Sequence, residues 1–178
     1  MSATPETADT GVTTDLDPER VAYLEALAQQ RWFFLHTVEG LTDDQARLTP
    51  TASELCLGGL VKHVALTERG WTDFVEHGSM AGGEDADHEA REREFRLADD
   101  ETLEEVVALF HEVAAHTDEL IRTVDLSASH ELPPAPWFTP GERRSARRVF
   151  AHLLCELAHH TGHADILRES IDGQRSMG

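Results

Sequence analysis

The chain has 178 residues, enough for one domain that buries about 70% of its unfolded surface without disulfides or a structural metal. Acidic residues outnumber basic ones 34 to 15, a net charge of −19 that repels phosphate backbones and anionic bilayers. General nucleic-acid binding and membrane-surface binding are thereby excluded, and no stretch approaches the roughly 18 apolar residues that a membrane span needs.

Residues 1–15 are rich in Thr, Ala, Asp and Gly and read as a flexible tail ahead of one domain over 16–178. They hold neither a basic region nor an apolar run, so no secretory signal is expected, and the reading is cytoplasmic. The first helix begins well: Asp17 can cap it and Pro18 takes the first position, where its missing donor is harmless. Val21, Leu24, Leu27, Ala28, Phe34 and Leu35 follow at helical spacing, and Gly40 closes the segment. Thr42 and Gln45 form a capping box for a short helical turn over 41–48. A second long helix is expected over 53–77, its stripe made by Leu57, Leu60, Val61, Val64, Ala65, Trp71, Phe74 and Val75. Gly58 and Gly59, early in it, admit a close backbone or ligand. Residues 78–98 mix glycine with dense charge and read as a long solvated connection. A third helix is expected over 100–124, with Leu103, Val106, Val107, Phe110, Val113, Ala114, Leu120 and Ile121 inward. Three prolines over 125–137 force extended backbone. The fourth helix starts at one of two rival caps, Thr139 or Ser145, and runs to about residue 169, with Gly173 beyond it. No segment alternates long enough to be a strand. Four long amphipathic helices with one short one predict an all-α bundle whose long connections permit a crossover topology.

The chain carries 11 histidines, and the densest run is "CELAHHTGHADILRE" in the fourth helix. At helical pitch, His160 lies about 40° from Glu156 and His163 about 20° on its other side, so all three share one face. His152 falls near this stripe, and His159 pairs with His163 at a gap of four. Imidazoles with a carboxylate on one face suit Zn, Fe, Ni or Co, zinc first among them. A hydrogen-bonded network without an ion meets the same pattern. A metal would need a further ligand from a facing helix, and His63, beside the buried stripe of the second helix, is the candidate. Glu68 reads as a solvated or helix-pairing glutamate. Trp137 and Phe138 follow the prolines and could line a pocket mouth. Arg143, Arg144, Arg147 and Arg148 form the one concentrated basic patch; Arg143 and Arg144 read as surface pairs, and Arg147 as either such a pair or an anchor for an anionic substrate group. No nucleophile elbow, phosphate loop or HExxH motif occurs.

Three segments, "LCLGGLVKHVALTERGW", "EFRLADDETLEEVVALFHEVAAHTDELI" and "RRVFAHLLCELAHHTGHADILRESIDG", resemble the DinB-like superfamily, in its DUF664 or mini-circle branch of small actinobacterial proteins. The resemblance implies a four-helix bundle around a divalent metal, held by a His of the second helix and a His-or-Glu and a His four residues apart on the fourth. Those positions match His63, Glu156 and His160, which decides between His159 and His160. His163 matches a position beside the triad, as a fourth ligand or a catalytic neighbour. Relatives in the superfamily include thiol transferases, and the thiol implied is mycothiol. The expected function is therefore metal-dependent transfer of mycothiol to a small electrophile. Arg147 and Trp137 would contact the cosubstrate. The alternative is a non-catalytic metal- or ligand-binding stress protein, and exposed helical faces also admit a homodimer.

Overall fold

The computed structural model describes residues 16–80, 93–136 and 138–176; the proposed tail, the acidic stretch at 83–87 and Trp137 lie outside them. Among the described residues, four long helices and one short one form the bundle. Helix α1 (Pro18–His36) is capped by Asp17, whose carboxylate accepts from the Glu19 N–H. Helix α2 (Asp43–Ala46) carries the Thr42–Gln45 capping box. Helices α3 (Leu57–His77), α4 (Leu103–Thr123) and α5 (Ala146–Asp172) complete the set. Thr102 and Glu105 close a second capping box at the start of α4. Each long helix sends one phenylalanine to the centre: Phe34, Phe74, Phe110 and Phe150 are all essentially inaccessible. An aromatic ring buries more apolar area than any aliphatic side chain, so these four set the spacing of the helices.

Two expectations need correcting, and one choice left open is decided. The second long helix starts at Leu57, not Ser53, because Thr51 and Ser53 side chains take the backbone N–H groups of Ser53 and Leu55 in local turns. The helix then opens on Cys56, whose sulfur accepts from the Gly59 N–H at 3.4 Å. The second correction is a two-stranded antiparallel ribbon, β1 (Ser129–Glu131) with β2 (Arg143–Ser145), where no strand was expected. Its strands are too short for alternation to register. The choice between the two rival caps follows from the ribbon: with 143–145 committed to it, Ser145 caps α5 and accepts from the Arg148 N–H. Thr139 instead opens a turn closed by the Glu142 N–H on its carbonyl at 2.9 Å.

Ion pairs and ring contacts give the chain direction. Lys62 near the start of α3 meets Glu101 just before α4, and Glu76 near its end meets His116, so α3 and α4 run parallel. Tyr23 reaches the carbonyl of Arg147 and Arg168 that of Thr37, so α1 and α5 are also parallel. His63 lies against His160 and Trp71 against His152, so α3 and α5 are antiparallel. Two parallel pairs packed head to tail require one long crossover, and the connection from residue 78 to 102 supplies it. Gly78 ends α3 at φ +73, and a β-carbon there would sit 2.7 Å from the His130 ring, so only glycine fits that turn.

Candidate metal centre

The candidate site lies where α3 and α5 face each other. His63 comes from the middle of α3; Glu156 and His160 come from successive turns of α5. Their ligand atoms all lie within 4.8 Å of one another. The space among them is about 10 Å³, room for one ion-sized occupant, and Val64, Thr67, Glu68 and Leu153 also line it. Nε2 of His160 is 3.6 Å from Oε2 of Glu156. That is close to the edge, about 3.4 Å, of a tetrahedron with metal–ligand bonds of about 2.1 Å.

The electrostatics suit a cation. Burial pushes the His160 imidazole down to about 4, and the neighbouring His63, His163 and His159 add to the shift. Burial also lowers His63, against the raising influence of Glu94 and Glu156. Both rings are therefore neutral near pH 7 and present lone pairs, the form a metal requires. Two neutral nitrogens and one carboxylate in a small, half-buried space form a donor set that fits a divalent cation. A second cluster, Asp73, Glu76 and His77, lies at the C-terminal end of α3, but two of its three members are exposed and Glu76 already pairs with His116 at 2.9 Å.

The surrounding shell orients these groups. His152 stands 3.6 Å from the other oxygen of Glu156, and Trp71 packs edge-on against His152 at 4.9 Å. Arg144 lies over both Trp71 and Phe138, at 5.0 and 5.1 Å from the ring centres. His163 is half-buried, with its Nδ1 3.5 Å from Nδ1 of His160, and stands outside the three-ligand group. Arg147 lies on the other side of α5, paired with Glu19 of α1 at 2.5 Å. Arg143 bonds Ser129 across the ribbon.

Two features go beyond the sequence reading. Of the two roles open to Glu68 the structure takes helix pairing, not solvation, and adds that it lines the site: it is 3% exposed and pairs with Arg31 at 2.6 Å, while Arg31 also holds Asp118 of α4 at 2.7 Å. The signal was available, since Glu68 falls seven residues after Val61 and three after Ala65, on the buried stripe. The other feature is the end of the crossover connection. Phe95 stacks on His63 at 3.8 Å and Glu94 places Oε2 3.4 Å from His63 Nδ1. Phe95 and Leu97, apolar residues amid dense charge, were the sign that this segment returns to the core.

A model of the mycothiol-S-transferase family matches residues 22–173. No curated protein matches the chain. Among solved structures, a conserved protein from Enterococcus faecalis is similar over 86% of this chain and 97% of its own, with a TM-score of 0.64 at 16% identity, a likeness of fold. The family match runs from the first turns of α1 to the glycine that caps α5, and so takes in every helix of the bundle: the chain belongs to the mycothiol-S-transferase family, within the DinB-like superfamily.

Proposed function

We propose that the chain transfers the sulfur of mycothiol to a small electrophile at a divalent cation, zinc before nickel, iron or cobalt, held by His63, Glu156 and His160. The observation that carries this reading is the convergence of those three ligand atoms from two helices within 4.8 Å, in a chain of the mycothiol-S-transferase family. When bound, the cation acts as a Lewis acid that lowers the pKa of a nearby thiol, and the thiolate is the nucleophile. Two neutral imidazoles and one carboxylate offset only one of a dication's two charges. The residues thus leave the site favouring an anion. Leu153 and Val64 give part of its wall an apolar surface, which strengthens that preference. His152 steadies Glu156 through its second oxygen. His163 assists at the outer side: with Nε2 of His160 turned to Glu156, the Nδ1–H of His160 faces Nδ1 of His163, so the outer nitrogen of neutral His163 carries its N–H and donates a hydrogen bond to the reacting group. The thiol loses its proton to solvent, sulfur bonds to the electrophilic carbon, and the leaving group departs with its electron pair.

The test is direct. Zinc-loaded protein is incubated with mycothiol and a panel of alkyl halides and epoxides, and thioether is followed by mass spectrometry. His63→Ala is expected to lose bound zinc and to slow turnover about 100-fold or more, equivalent to about 2.7 kcal/mol. A variant that keeps both stoichiometric zinc and turnover overturns the ligand set. Absence of thioether with every electrophile in the zinc-loaded native protein overturns the reaction.

A further inference from the structure

We propose that Glu94 is the positioning residue of the metal centre, accepting the Nδ1–H of His63 so that Nε2 remains the metal-binding nitrogen. This rests on the cation reading above. A metal-bound histidine commonly donates its second ring N–H to a carboxylate, which fixes the tautomer and makes the ring a better donor. Glu94 has the right atom in place: Oε2 is 3.4 Å from Nδ1 of His63, while Thr67 Oγ1 lies 3.5 Å from Nε2 on the opposite edge. Its carboxylate is not part of the ligand group, whose atoms lie within 4.8 Å of one another. It acts through His63 rather than beside it.

Glu94 reaches His63 because the chain around it is pinned. Phe95 lies flat on the imidazole, 3.8 Å between centres and 24° between planes, so the ring is gripped on its face as well as its edge. The carbonyl of Phe95 rests on α3 where Gly59 has no side chain; a β-carbon there would stand 1.9 Å from that oxygen. Leu97 fills the neighbouring space over Gly58 and is 5% exposed. The Cys56 thiol donates to the Phe95 carbonyl at 3.7 Å, and Arg96 pairs with Glu54 at 3.0 Å. Four consecutive residues, Glu94 to Leu97, thus seat on the start of α3 and the turn before it, one turn from the ligand they orient. The two glycines give up helix propensity for this approach.

The test uses the full chain and zinc alone. Zinc affinity is measured by chelator competition for the native protein, Glu94→Gln and Glu94→Ala, with the melting temperature of each metal-free form and the tautomer of His63 from nitrogen chemical shifts. Glu94→Ala is expected to weaken zinc about 10- to 100-fold, with an unchanged metal-free melting temperature and a loss of the Nδ1–H tautomer. Glu94→Gln, whose amide oxygen still accepts, should recover much of the affinity. Equal zinc affinity in Glu94→Ala and native protein overturns the role of Glu94 alone. So does weaker binding accompanied by a matching fall in the metal-free melting temperature, which marks a structural role. A native protein that binds no stoichiometric zinc overturns the cation reading and this role with it.

Discussion

Among the described residues, His160 bears the clearest electrostatic penalty. Folding buries its ring beside three other imidazoles, and its proton affinity falls from the ordinary 6.5 to about 4. Without metal, the unfolded chain protonates this residue near pH 6.5 while the folded chain does so only near 4. Between those values the unfolded state binds more protons, so stability drops as the pH falls through the window and is level above it. His63 and His152, also lowered chiefly by burial, steepen the same slope. Melting temperatures of chelator-treated protein from pH 7.5 to 5 should decline, and His160→Gln should flatten the decline; a native melting temperature that does not change over that range contradicts the penalty. The residues of this site were legible to different degrees for a physical reason. Glu156, His160 and His163 share one helix, and helical pitch alone aligns them. His63 needed only the inference that a buried imidazole faces a partner. Glu94 reaches the site from a loop, and no periodicity links residue 94 to residue 63. Glu68 was left between a solvated and a helix-pairing role because its type favours the first and its place on the stripe the second, and the pair with Arg31 of α1 decides for helix pairing.

At the scale of elements, ends were harder to read than faces. The apolar stripes of α3 and α4 are buried almost residue for residue, because a face that is not covered stays wet. The boundary of α5 depended on a competition that helix signals cannot express. Thr139 and Ser145 are both good caps, but the backbone of 143–145 pairs with 129–131, and this pairing places Ser145 at the point where helix can begin. The side chain of Ser145 accepts from Arg148, whereas at Thr139 the turn is closed by backbone atoms and by the Glu142 carboxylate on the Thr139 N–H. Ser145→Ala should therefore cost about 1 kcal/mol of unfolding free energy in urea titrations. Thr139→Ala should stay within about 0.5 kcal/mol, as surface substitutions away from such contacts do. Equal losses at the two positions would contradict the assigned helix start.

At the scale of the molecule, the parallel pairs α1/α5 and α3/α4 put the two ligand-bearing helices antiparallel and adjacent, so that one mid-helix histidine meets a histidine–glutamate pair. Sequence could not choose this arrangement, since the same stripes also close an up-down bundle; long-range polar contacts make the choice. Arg31 is the main one, a buried guanidinium of α1 held between Glu68 of α3 and Asp118 of α4, which fixes which residues of three helices face each other. Such a pairing stabilises little against an apolar substitute, but breaking it leaves a buried charge. The surface works in the opposite sense. A net charge of −19 on a 178-residue chain repels itself, and the folded state concentrates that charge more than the unfolded one does. Raising monovalent salt from about 0.01 M to about 0.15 M shortens the Debye length from about 30 Å to about 8 Å and screens this repulsion, while the half-buried pairs are screened much less. The melting temperature at pH 7.5 should therefore rise with salt over that range. A fall would mean that exposed ion pairs such as Arg147–Glu19 and Arg96–Glu54 outweigh the excess of like charge.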